Sequence, residues 1–146
     1  MIGALVVGHG NFAQGVYDAL ELIAGSQENF LIQCFQENAV LSEFEAEFTE
    51  NVHKLAESGD DVFVFTDLKG GTPFNVAMIS TATMPNVFVY SGTNLPMLLE
   101  FCGSRLSNLT TEAIQTALLL AGRDGISTQK LEEAAEKEDS DLEEGI

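Results

Sequence analysis

Short, unbroken apolar runs that alternate with longer amphipathic stretches constrain this chain more than any other feature. A strand buried on both faces has no polar side to alternate with. Such strands recur in series only where crossover helices cover a parallel sheet on both faces. Ile2 to Val7 reads as the first of them, and Phe12 to Ala24 as a helix with Phe12, Val16, Leu20 and Ile23 along one side. Phe30 to Phe35 is the second strand, with Gly25 and Asn29 punctuating the turn before it. Val40 to Glu57 sets Phe44, Phe48, Val52 and Leu55 at helical spacing and is closed by Gly59. Asp61 to Thr66 is the third strand. The helix after it begins at or near Pro73, because proline is tolerated in a first turn. Asn86 to Tyr90 is the fourth strand, followed by helices over Leu95 to Phe101 and Thr110 to Ala121. The stretch GRDGIST that comes next reads equally as a short edge strand or a loop. The pattern predicts an α/β fold, an open, mainly parallel sheet of four parallel strands with helices on both faces.

Length and charge narrow the function. A chain of 146 residues with 45% hydrophobic content supports one domain with a full core, without metal or disulfide staples. Lys and Arg number 6 against 23 Asp and Glu, a net charge of -17. That is the wrong sign for neutralising phosphates, so nucleic acids and anionic membrane surfaces are poor partners. Eight of the acids crowd into 132–146, read as a solvated helix end or frayed tail beyond a domain over 1–131. Cys34 and Cys102 lie among apolar neighbours with no C-x-x-C spacing, which suits buried free thiols in a reducing compartment. No apolar run reaches the ~18 residues of a membrane span, and MIGALVVGHG lacks the basic region and cleavage pattern of a signal peptide, so a cytoplasmic location is expected.

In open parallel sheets ligands gather beyond the carboxyl ends of the strands, where the strand order reverses. Gly8, His9 and Gly10 follow the first strand, Asp67 to Asn75 the third, and Ser91 to Pro96 the fourth. His9 stands between two glycines that let a phosphoryl group approach unobstructed, which suits a nucleophile; the alternative is a capping or core histidine. If the first and third strands are neighbours, Asp67 comes beside that imidazole, where it fixes the tautomer, frees the other nitrogen and stabilises the cation that forms. Asp67 could instead be a turn residue. Gly70, Gly71 and Thr72, running into a helix start, offer N–H groups and a hydroxyl to an anion, phosphate first. Lys69 is expected to face solvent, and His53, inside an amphipathic helix, to have no role. The segment from Gly8 to Ala13 formally fits a dinucleotide fingerprint, but Gln33, Cys34, Phe35 and Gln36 stand where the acidic ribose ligand belongs. A phospho-aspartate receiver domain would want acids where His9 sits.

VVGHG, DLKGGTPFN, SGTNLPMLLE and AGRDGI together carry a likeness. The chain resembles the enzyme IIA component (EIIA) of the mannose class of the bacterial phosphoenolpyruvate-dependent sugar phosphotransferase system (PTS), over about residues 1–130. The resemblance implies a phosphotransferase, a cytoplasmic homodimer that accepts a phosphoryl group from the carrier protein HPr on His9 and passes it to a histidine of EIIB. It implies Asp67 on the unphosphorylated ring nitrogen, Nε2 as acceptor, and Thr72 as the hydroxyl residue. Gly10, Gly70, Gly71 and Thr72 are then the phosphate-binding positions, with no metal and no cofactor. It further implies that the segment around Ile126 adds a strand to the partner subunit's sheet and that membrane EIIC and EIID are reached only indirectly. Some family members continue into an EIIB domain, but this chain ends in the acidic run, so EIIB is expected as a separate polypeptide. Phe12 reads equally as an exposed docking contact or a core position. A dihydroxyacetone kinase phosphotransfer subunit and a non-catalytic anion-binding or regulatory module are the alternatives, and the sugar is not legible.

Overall fold

In the computed structural model, which describes residues 1–132, the most apolar runs become the two central strands. The order of elements is β1 (Gly3–His9), α1 (Phe12–Ala24), β2 (Phe30–Phe35), α2 (Leu41–Leu55), β3 (Val62–Thr66), α3 (Thr72–Ser80), β4 (Val87–Tyr90), α4 (Leu95–Ser104) and α5 (Thr111–Asp124). All pairings are parallel and the sheet order is β2-β1-β3-β4, so chain order reverses between β1 and β3. Val7 of β1 lies opposite Gln33 of β2 and Thr66 of β3. That register brings the carboxyl ends of β1 and β3 to one rim.

Two apolar layers sandwich the sheet because side chains alternate across each strand. Ala4, Val6, Phe63 and Phe65 pack with Leu20, Leu98, Phe101, Ile114 and Leu118 under α1, α4 and α5. Leu5, Val7, Val62 and Val64 pack with Phe44, Phe48, Val52 and Val76 under α2 and α3. The four α2 residues of the predicted stripe, Phe44, Phe48, Val52 and Leu55, are all buried. The buried amide of Gln33 donates to the Phe44 carbonyl (2.9 Å) and accepts from Asn51 Nδ2 (3.1 Å), pinning α2 to β2 without an orphan polar group.

Helix ends follow local chemistry. Asn94 Oδ1 accepts from the Met97 N–H (3.1 Å) to cap α4, while its Nδ2 donates to the Gly122 carbonyl (2.8 Å) and ties α4 to the end of α5. Thr110 caps α5 through the Ala113 N–H. Within this single chain, α5 continues through Asp124, so that GRD of GRDGIST is helical, and no strand follows it among the described residues. Gly122 is buried there, and a Cβ on it would come within 3.3 Å of Met97, so its close approach to α4 favours helix over turn.

Arg105 is buried, and burial lowers its pKa; its guanidinium donates to the carbonyls of Ile2 (2.9 Å), Glu28 (2.6 Å) and Asn29 (3.4 Å) and to Gln27 Oε1 (3.2 Å). Cys102 is buried and Cys34 half-buried, both as free thiols, and burial pushes the Cys102 thiol up to about 11. The acidic run 132–146 lies, but for Glu132, outside the described residues. No described helix is long and apolar enough to cross a membrane.

Candidate active site

β1 ends on His9 and β3 hands over directly to Asp67, so strand adjacency alone sets the two side by side. Asp67 Oδ2 accepts from the His9 backbone N–H (2.9 Å) and lies 2.8 Å from His9 Nδ1; Oδ1 accepts from the Leu68 N–H (2.9 Å). Burial raises the Asp67 pKa, but the bonds from the His9 N–H, the His9 ring and the Leu68 N–H outweigh it and hold the carboxyl below its ordinary value. An ionised carboxylate only accepts, so it draws the ring proton to Nδ1 and leaves the Nε2 lone pair free. The His9 side chain is 46% exposed and that of Asp67 only 14%, an open imidazole on a fixed support.

The ring is held from two further sides. His9 pairs with Phe35 in the β1–β2 register, and the Phe35 ring meets the imidazole edge-on, 6.0 Å between centroids and 80° between planes. Phe44 braces Phe35 at 4.8 Å. Phe35 is a site residue that the sequence reading missed; its only signal was its place at the carboxyl end of a strand beside β1. Gly71 lies against the ring: a Cβ there would fall 2.7 Å from His9 Cε1 and 3.4 Å from Nε2. The reactive edge of the imidazole therefore faces the turn that opens α3.

That turn divides the amides expected to meet a phosphate. The Gly71 N–H is committed to the Leu68 carbonyl (3.1 Å), closing a tight turn in which Gly70 takes φ +84°. The Gly10 N–H is likewise committed to the Phe35 carbonyl (2.8 Å). Among the described residues the Gly70 and Thr72 N–H groups and the Thr72 hydroxyl have no protein partner. Asn75 steadies the turn, its Nδ2 donating to the Gly70 carbonyl (3.1 Å) and its N–H to that of Gly71 (2.9 Å). The free donors stand at the positive end of a nine-residue helix with Pro73 in its first turn. Thr66 and Thr93 lock the rim, Thr66 Oγ1 donating to the Tyr90 carbonyl (2.6 Å) and Thr93 Oγ1 to that of Thr66 (2.8 Å).

Other sequence candidates fall elsewhere. Phe12 folds over Gly8, where a Cβ would sit 2.6 Å from its ring, and packs half-buried against the α1 side of the core. Lys69 is exposed. His53 is exposed on α2, in an open trough of about 890 Å³ that contains neither His9 nor Asp67. That trough is thus separate from the His9–Asp67 pair. Among the described residues no three His, Cys, Asp or Glu side chains converge as a metal-ligand set.

Comparison with known proteins bears on the same elements. The family model described as PTS system fructose IIA component matches residues 3–118. The PTS system fructose-specific EIIA component of Bacillus subtilis is 27% identical over 105 residues, covering 72% of this chain and 71% of that protein. The PTS system mannose-specific EIIAB component of Escherichia coli K12 is 27% identical over 128 residues, 87% of this chain, which spans only 39% of that protein's length. Among solved structures, a phosphotransferase system component EIIA from Streptococcus agalactiae superimposes with a TM-score of 0.79 at 32% identity, covering 88% of this chain and 97% of the other.

Proposed function

Because this chain belongs to the PTS fructose IIA family, we propose that it relays phosphoryl groups for sugar uptake through a phosphohistidine at His9, receiving them from HPr and passing them to an EIIB. Membership makes it a phosphotransferase-system component; the residues, the partners and a cytoplasmic setting are the proposal. One observation carries it: the Asp67 carboxylate binds both the His9 backbone and Nδ1, leaving Nε2 turned toward the start of α3.

The Nε2 lone pair attacks the phosphorus of the donor phosphohistidine in line with its P–N bond. As the new N–P bond forms, the old one breaks and its electron pair returns to the donor imidazole. His9 keeps its Nδ1 proton and becomes cationic, and the fixed carboxylate at 2.8 Å stabilises that charge. Attack of an EIIB histidine on the same phosphorus reverses these roles. The Thr72 N–H and hydroxyl, with the Gly70 N–H, supply donors for the phosphoryl oxygens. Gly71 and Gly10 contribute differently, one by leaving room at the ring and the other by closing the turn after β1.

A homodimer with exchanged strands belongs to the same proposal. The outer edge of β4 is unpaired among the described residues, and depressions of about 470 and 360 Å³ run beside it, lined by Met84, Phe88, Tyr90, Leu119 and Ile126 among others. An unpaired edge invites another strand. The segment around Ile126, itself 78% exposed, would supply it from the partner subunit.

Incubation with labelled phosphoenolpyruvate, enzyme I and HPr should place an acid-labile phosphate on His9. Label that persists in His9→Ala overturns the assignment. An unlabelled wild-type protein that binds inorganic phosphate would make it a non-catalytic anion module instead, and onward transfer to a dihydroxyacetone kinase in place of EIIB would move it to that branch.

A further inference from the structure

We infer that the pocket between the first turn of α2 and the outer side of α3 receives an apolar side chain of the phosphoryl donor protein, flanked on that donor by basic side chains. This deepens the phosphoryl-transfer reading above and rests on it. The pocket has a volume of about 280 Å³ and is walled by Leu41, Val76 and Ile79, with Glu45, Thr72 and Asn75 completing it. That is at or below the low end of small-molecule sites, which start near ~300 Å³, and suits one inserted side chain better than a cofactor.

Position ties the pocket to the reaction. Thr72 lines it and also carries the free donors beside His9, and Thr72 follows Gly71, the residue against the imidazole. A standard protein interface covers about 800 Å² per partner, a disc of roughly 16 Å radius, so a donor seated over Nε2 has the reach to enter a pocket that shares Thr72 with the turn beside the ring. Scattered exposed apolar residues are ordinary. Here, however, Ile79 (79% exposed) and Leu41 (49%) converge on one concavity, and Leu68 (61%) follows Asp67 directly. Buried apolar anchors seated in such concavities dominate binding energy at protein interfaces.

Charge fixes the donor's chemistry. Below the pocket the cleft between α2 and α3 continues as the trough already described, where Glu45, Glu50 and Glu57 outnumber Lys54. A donor brings a phosphoryl dianion toward a chain of net charge -17. Approach at useful rates then requires cations on the donor that face this acidic wall.

The test compares two donors. Leu41→Asp and Ile79→Asp alter exposed side chains and should leave the fold intact. Each should raise the KM for phosphorylated HPr by about tenfold, the size of a modest interface anchor. Labelling of His9 by phosphoramidate, a small donor with no docking surface, should match wild type. Glu45→Lys should raise the same KM and weaken its dependence on salt. A KM within twofold of wild type in both Asp variants overturns the proposal, as does an equal loss with phosphoramidate, which would mean the pocket acts on the site itself. A defect confined to onward transfer to EIIB overturns it in favour of the acceptor as occupant. Wild-type protein labelled by neither donor would instead sink the phosphoryl-transfer reading, so the two failures are distinguishable.

Discussion

Asp67→Asn changes almost no volume and removes one property, the ability of both side-chain oxygens to accept. In the native site Oδ2 takes the His9 N–H and faces Nδ1, while Oδ1 takes the Leu68 N–H. An asparagine must turn its NH2 toward one of these sides. Toward Leu68 it sets donor against donor, and the imidazole keeps its tautomer but loses the anion that stabilises its cation. Toward His9 it donates to Nδ1, which drives the ring proton to Nε2 and occupies the attacking lone pair. Hydrogen bonds to charged groups are worth about 1.5–3 kcal/mol. Losing one such bond, together with the penalty for the mismatched donor, gives roughly 3–5 kcal/mol at the transition state, or about 10² to 10⁴ in rate. Rapid-quench single-turnover transfer from phosphorylated HPr reads the rate, and ¹⁵N chemical shifts of His9 read the tautomer. A variant that transfers within threefold of wild type would falsify the claim that the carboxylate sets up the nucleophile, whatever its tautomer.

Further outcomes follow from the same geometry. Gly71→Ala places a methyl 2.7 Å from His9 Cε1 and should displace the ring, lowering single-turnover transfer by about 10-fold or more. The melting temperature should barely move, because Gly71 has φ -73°, a backbone conformation that alanine adopts without strain; an unchanged rate would show that the ring tolerates the methyl. Arg105→Met removes the donors to the carbonyls of Ile2 and Glu28, while the Asn29 carbonyl keeps the Ala4 N–H, and should cost about 2–4 kcal/mol in urea unfolding, with the rate per folded molecule retained. For pH, the folded-state pKa of Asp67 is depressed, so its contribution to stability is present above the unfolded value of about 4 and is lost as pH falls through the folded value. Asp60, lowered through its bonds to the Met1 amino group and Ser58, titrates on the same limb. Melts from pH 6 down to 2 should therefore still slope in Asp67→Asn, but less steeply than in wild type; parallel curves would remove the Asp67 contribution.

Much of this was legible because burial on both faces writes itself plainly into sequence. Val62 to Thr66 has no polar face to confuse the reading, and its neighbour β1 likewise carries six buried residues before His9. The adjacency of β1 and β3, on which the His9–Asp67 pair depended, followed from the usual order of open sheets. Phe35 was not legible: its contact with His9 is set by strand register across 26 positions, and apolar residues at strand ends are too common to single one out. Gly71 was marked as an amide donor, yet its value is steric, since its N–H closes the turn and its missing side chain admits the ring. GRDGIST stayed open because Gly122, a helix breaker by propensity, sits inside α5 where it packs on Met97 and its carbonyl takes the Asn94 amide, contacts that no local pattern encodes.

The division of donors at the α3 turn has a consequence for the chemistry. A relay histidine must bind its phosphoryl group tightly enough to orient it and loosely enough to release it to the next imidazole. Had the Gly10, Gly70, Gly71 and Thr72 amides all faced the oxygens with the Thr72 hydroxyl, five charge-assisted bonds at about 1.5–3 kcal/mol each would bury the group in a well too deep for onward transfer. Two of those amides are held by the Phe35 and Leu68 carbonyls, which leaves two amides and a hydroxyl. In the proposed relay, the same backbone bonds that shape the loops would therefore also limit how strongly the site holds a phosphoryl group. Because uniform binding of bound state and transition state lowers no barrier, a short list of donors serves transfer better than a long one.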